Sequence, residues 1–104
     1  MAKKNTSNAH AIHPGEILTE EFLTPFCITQ YRLAHATGMP PRRVNEIAHG
    51  TRSITAATAL RLARFFGTTA QFWMNLQTRY DLAVSAPSLD SLLKRIVTPF
   101  RTPL

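Results

Sequence analysis

Apolar and polar residues follow one another with a helical period along most of the chain. Ile17, Leu18, Phe22 and Leu23 form an apolar stripe after His13-Pro14-Gly15 and before Pro25, which predicts a first helix that the proline stops. Thr29 is placed to cap a second helix that carries Leu33 and Ala34 inward and ends at Gly38. Pro40-Pro41 opens a third, since the first backbone N–H groups of a helix have no intrahelical partner to lose, and His49-Gly50 closes it. After a loop, Thr51 to Ile54, Thr55 caps a fourth helix with Ala59, Leu62, Ala63 and Phe66 on one face and Gly67 as its stop. Thr69 caps a fifth that carries Phe72, Trp73, Leu76 and Tyr80. Ala86-Pro87 is expected to break the chain there, with Ser88 capping a sixth helix that sets Leu89, Leu92, Leu93, Ile96 and Phe100 in register. No segment alternates as a strand does. The pattern predicts an all-α fold, a compact five- to six-helix bundle over residues 12–98, preceded by a disordered leader (1–11) and followed by an irregular tail (99–104) that Pro99 and Pro103 interrupt.

Inside this bundle, the run QYRLAHATGMPPRRVNEIAHG (30–50) has the spacing of a helix-turn-helix. Ala34 falls where two helices cross closely, Gly38 follows four residues later at a tight turn, and Val44 comes six after that on the next helix. A larger side chain at the crossing would push the helices apart, and the turn needs a residue that tolerates positive φ. Val44 and Ile47 share one helical face, leaving Arg42, Arg43, Asn45, Glu46 and His49 on the rest. Guanidinium, amide and carboxylate groups in that set suit base edges and phosphates.

Charge agrees with this reading. The net charge of +6 is concentrated over the motif: between Thr29 and Thr68 stand six arginines (Arg32, Arg42, Arg43, Arg52, Arg61, Arg64) against the single acid Glu46. Such a basic stretch is the electrostatic footprint of a phosphate-binding surface. At 104 residues the chain is one domain. Its lone cysteine, Cys27, excludes an intramolecular disulfide and a cysteine-built zinc site, and its apolar neighbours suggest a small filler near a helix end. His10 and His13 are three apart, but with no cysteine or acid beside them they read as part of the mobile leader rather than as metal ligands. His35 and His49 are expected at the surface, and Trp73, Phe72 and Tyr80 in the core. No apolar run approaches the roughly 20 residues that cross a bilayer, so no membrane contact and a cytoplasmic location are expected. Nucleophile elbow, glycine-rich phosphate loop and metal-ligand cluster are all missing from the sequence, so neither an enzyme nor a cofactor is expected.

Residues 30–66 resemble the helix-turn-helix of the phage-repressor-like (Xre) family, and thus a lambda-repressor-like domain. The flanks narrow the match: HPGEIL, EEFL and Pro25 before the motif, and TTAQFWMNLQTRYDL after it, resemble the HigA antitoxins, also called virulence-associated protein I, of bacterial toxin–antitoxin modules. The resemblance spans about residues 12–82, and FWMNLQ is its most specific part. It implies a small cytoplasmic protein that neutralises a HigB toxin, an mRNA endonuclease of the RelE type, and represses its own operon as a homodimer on double-stranded operator DNA.

Carried over residue by residue, the resemblance makes Gln30 a phosphate contact and a brace for the recognition helix, and puts Pro41, Arg42, Asn45 and Glu46 toward base edges. Arg42 suits guanine O6/N7 and Asn45 adenine N6/N7, while Glu46 either accepts from cytosine N4 or fixes an arginine. Arg43, Thr51 and Arg52 suit phosphates. Pro41 departs from the polar residues common at its position and removes one possible base contact. One recognition helix spans only a few base pairs, so two half-sites about 34 Å apart, and a twofold dimer, are expected. The surplus apolar surface of the last two predicted helices is the expected dimer contact. Two other readings stay open at this point, a freestanding Xre-family regulator and an interaction module with a vestigial DNA surface.

Overall fold

The computed structural model describes residues 11–101, and all regular structure among them is helical. The predicted leader therefore lies mostly outside the described residues, as do His10 and the end of the tail. Helix α1 (Pro14–Ile17) runs directly into a π-helical segment (Leu18–Leu23), followed by α2 (Gln30–Thr37), α3 (Pro41–Ala48), α4 (Ala56–Phe66) and α5 (Ala70–Ile96).

Local chemistry accounts for most boundaries. Thr29, Thr55 and Thr69 each stand in extended backbone and accept, through the hydroxyl, the N–H of the residue three further on: Arg32, Thr58 and Phe72. Gly38 and Gly67 end α2 and α4 in the left-handed conformation, at φ 71° and 75°. The π winding after Ile17 has a packing reason. Leu18 and Leu23 are both buried, yet five residues apart they would lie about 140° from one another on an α-helix; i→i+5 bonding brings them toward one side.

The core gathers Leu18, Leu23, Leu33, Ala34, Val44, Ile47, Ala59, Leu62 and Trp73 from the π segment and from α2 to α5. Trp73 is fully buried and donates its indole N–H to Thr68 Oγ1 at 2.7 Å, while Phe22 packs against its ring with centroids 5.0 Å apart. Truncating a tryptophan so placed costs about 3–5 kcal/mol.

Three expectations are corrected, beside that for Phe72, which is exposed at the edge of the core against Phe22 and Trp73 rather than within it. The chain does not break at Ala86-Pro87: α5 continues for 27 residues, about 40 Å, with Pro87 inside it. An interior proline removes one N–H donor and crowds the i−4 carbonyl, at a cost of about 3 kcal/mol that the rest of this long helix carries. Here residues 81–96 are exposed throughout, so the Ala83 carbonyl that Pro87 leaves without a donor faces water. Ser88 is accordingly no cap, and its hydroxyl donates to the Ser85 carbonyl at 3.0 Å. The second correction concerns Cys27, which is exposed and adopts φ 56° in the turn after the π segment instead of filling the core. The third is His13. It is half-buried at the head of α1, where Nδ1 accepts the Gly15 N–H at 2.9 Å and Tyr80 packs edge-on with centroids 4.8 Å apart.

Helix α5 thus has two parts. Its first turns pack on α4 and α1. Beyond Tyr80 it leaves the domain, carrying Leu82, Val84, Leu89, Leu92, Leu93 and Ile96 in the open.

Candidate nucleic-acid interface

Helices α2 and α3 pack directly on one another across Ala34, which is buried to 1% exposure. A tight turn joins them, with Gly38 in the left-handed region and Met39 buried beneath it. Arg61 of α4 closes the end of α2 by donating from Nη1 to the Thr37 carbonyl at 2.7 Å. Val44 and Ile47 are fully buried, so α3 is fixed in rotation and its other face is turned outward.

Pro41, Arg42 and Asn45 are exposed on that face, with Glu46 and Arg43 half-buried beside them. Glu46 is the hub. Its Oε1 accepts from Arg52 Nε at 2.7 Å and its Oε2 from Arg42 Nε at 3.2 Å. The hydrogen bond from Arg52, supported by that from Arg42, holds the Glu46 carboxyl below the usual carboxylate range. Of the alternatives open in the sequence, fixing an arginine is therefore what Glu46 does in the free chain, and it fixes two. Both guanidiniums keep N–H groups free for an anion or a base edge, since each commits only Nε to Glu46.

Gln30, at the first position of α2, accepts from Asn45 Nδ2 at 3.1 Å through its Oε1. It braces the recognition helix, and the Asn45 amide retains its oxygen and one N–H for an adenine edge. Thr51 folds back on the end of α3, both its N–H and its hydroxyl reaching the Glu46 carbonyl, at 2.9 and 3.2 Å. Arg52 is brought next to Glu46 by that turn. Arg43 forms no ion pair with a described residue and stays available to phosphate. The eight residues singled out from the sequence thus fall on one continuous surface: the start of α2, the outer face of α3 and the loop after it. Among the described residues no group of three or more His, Cys, Asp or Glu side chains is arranged to hold a metal ion, and no helix is long and apolar enough to cross a membrane.

The sequence reading missed Gly15. A Cβ there would collide with the Ile47 carbonyl oxygen, so only glycine lets α1 lie against the backbone of the recognition helix. The glycine of the HPGEIL segment was the available signal, but its partner is visible only in three dimensions.

Comparison with known proteins agrees with this geometry. The family model described as "Helix-turn-helix" matches residues 28–73. Virulence-associated protein I of Dichelobacter nodosus is 49% identical over 92 residues, covering 88% of this chain and 83% of that protein. Among solved structures, an addiction module antidote protein of the HigA family from Coxiella burnetii superposes with a TM-score of 0.82 at 47% identity, over 86% of this chain and 98% of that one. Pseudomonas aeruginosa antitoxin HigA, solved with the higBA promoter, superposes with a TM-score of 0.85 at 42% identity, over 88% of this chain and all of that one. With the helix-turn-helix, its flanking helices and these relatives in agreement, the chain belongs to the HigA-type antitoxins of the helix-turn-helix class.

Proposed function

We propose that this chain is the antitoxin of a HigBA-type module, which represses its own operon by sequence-specific binding to operator DNA and neutralises a RelE-like mRNA-endonuclease toxin. The observation that carries the DNA part is the Arg42–Glu46–Arg52 network on the exposed face of α3 and its loop, in a fold that a promoter-bound HigA shares over nearly its whole length. In this reading Arg42 and Asn45 read base edges, Pro41 limits readout at the start of α3, Glu46 aligns the two arginines, and Gln30, Arg43, Thr51 and Arg52 hold phosphates. The activity is binding without catalysis, carried out in the cytoplasm where operator and toxin are found.

The proposed chain acts as a homodimer. Two recognition helices about 34 Å apart supply the half-sites that one helix of eight residues lacks. The distal part of α5 supports this, with Leu82, Leu89, Leu92, Leu93 and Ile96 exposed along a stretch in which every residue from 81 to 96 is exposed.

Co-expression with the neighbouring gene tests the proposal. Growth restored by this chain, together with a co-purified complex, is the expected result. If growth is not restored and no complex forms while the promoter region is still bound, the chain is a freestanding regulator instead.

A further inference from the structure

The FWMNLQ segment places one polar side chain inside the domain. Gln77, on the inward face of α5, is 4% exposed and has every polar atom occupied. Its Oε1 accepts the Ile54 N–H at 2.7 Å, and its Nε2 donates to Asp81 Oδ1 at 2.9 Å and to Ser53 Oγ at 3.4 Å. The Ile54 N–H belongs to the irregular stretch between α3 and α4, where no helix supplies an acceptor, so the Gln77 amide takes the place of a missing backbone partner. Asp81 fixes the orientation of that amide: with Nε2 turned to the carboxylate, Oε1 must face Ile54.

The same helix reaches the other end of this stretch. Tyr80 packs on His13, and His13 lies against Gly50, where a Cβ would stand 3.6 Å from its ring. Gln77, Tyr80 and Asp81 therefore hold residues 50–54 at both ends. Arg52 sits between those ends, with its guanidinium on Glu46.

We infer that Gln77 is a positioning residue for operator binding: by clamping Ser53 and Ile54 to α5 it sets the loop so that Arg52 meets both Glu46 and the DNA backbone. This rests on the proposed reading of Arg52 as a phosphate contact. None of the Gln77 hydrogen bonds reaches the recognition helix, so its effect on binding passes through the loop.

A double-mutant cycle on the full chain tests the inference, with a duplex of the chain's own promoter region as probe and circular dichroism to fix the folded fraction of each variant. Gln77→Met keeps the volume and removes all three hydrogen bonds. We expect Gln77→Met and Arg52→Ala each to weaken binding about tenfold, and the double variant to be no weaker than Arg52→Ala by more than about twofold, because both remove one interaction. Gln77→Met should also flatten the dependence of log K on log[salt] by about 1 per subunit, the loss of one phosphate contact, which a merely structural role would not do. A second set guards against misfolding. Gln77→Glu faces the Asp81 carboxylate and should bind as poorly as Gln77→Met. Pairing it with Asp81→Asn exchanges donor for acceptor and should restore binding to within about threefold of wild type. Losses that multiply in the double variant, or a paired exchange that restores nothing, overturn the inference while the phosphate reading of Arg52 stands. Arg52→Ala binding as tightly as wild type would overturn that reading, and the inference with it.

Discussion

The Glu46 carboxylate receives the Arg52 guanidinium at 2.7 Å, which joins the middle of the recognition helix to the loop that follows it. Glu46 and Arg52 are six residues apart, a separation that brings them together only because Thr51 turns the chain back over the end of α3. Through the same carboxylate Arg42 is held 3.2 Å away, one helical turn earlier. An acid in the centre of a basic surface lowers its attraction for DNA in general, and here it aligns two cations.

Replacing Glu46 therefore has opposite effects on two kinds of binding. Glu46→Gln should raise affinity for scrambled DNA slightly, since one negative charge is gone, and lower the preference for operator by about tenfold as Arg42 and Arg52 lose their alignment. Arg42→Ala should weaken operator binding by about 1–3 kcal/mol with a much smaller loss on scrambled DNA. Gel-shift titrations of both variants on both DNAs at one salt concentration check this. Equal losses on the two DNAs would make Arg42 a phosphate contact.

Salt dependence reports the number of phosphates met. With Arg43, Arg52 and one or two further cations per subunit on phosphate, a dimer makes about 6–8 contacts, and log K should fall against log[salt] with a slope of about −5 to −7. A titration between low and physiological salt measures it. A slope near zero would leave the basic surface without a role in DNA binding.

The half-buried His13 ties stability to pH. Burial lowers its pKa from the ordinary 6.5, against the pull of the Asp81 carboxylate and the Arg52 carbonyl. The unfolded chain then binds more protons than the fold between the two values, so stability is complete above about 6.5 and declines as the pH falls through the lowered folded value. Melting temperatures from pH 8 to pH 5 should show the decline. His13→Asn, which keeps a side-chain acceptor for the Gly15 N–H, should reduce it. The same decline in the variant would assign it to another group.

At Gly15 the test is steric. A methyl group there meets the Ile47 carbonyl, and α1 must move away from the recognition helix. Gly15→Ala should cost at least about 1–3 kcal/mol, the range of an overpacked core, and chemical denaturation measures it. A neutral substitution would mean that α1 and α3 part easily.

What was legible in the sequence was what local chemistry decides. Thr29, Thr55 and Thr69 could be assigned as caps because a hydroxyl satisfies an N–H three residues away whatever the rest of the chain does. Ala34, Gly38, Val44 and Ile47 were equally plain, since their spacing encodes a helix crossing. Pro87 misled because a proline weakens a helix locally without always ending it, and here the turns on either side of it continue the helix. His13 and Gly15 were obscure for the opposite reason: Tyr80 and Ile47, which hold them, are distant in sequence. The residues of the candidate site were readable as a set, and Arg42 as a partner of Glu46 follows from i,i+4 spacing, but Arg52 as its second partner required the turn at Thr51.

The central claim joins two activities on separate surfaces, base readout by α3 and neutralisation of a toxin. The most direct measurement co-expresses the neighbouring gene with either the wild-type chain or the Arg42→Ala/Asn45→Ala variant, and follows growth alongside a reporter driven by the chain's own promoter. Wild type should restore growth and silence the reporter, while the variant should restore growth and leave the reporter active, because the proposed function assigns the two lost side chains to base readout and the toxin to another surface. Failure of the wild-type chain to restore growth would contradict the antitoxin assignment, and a variant that still silences the reporter would contradict the assignment of Arg42 and Asn45 to base readout.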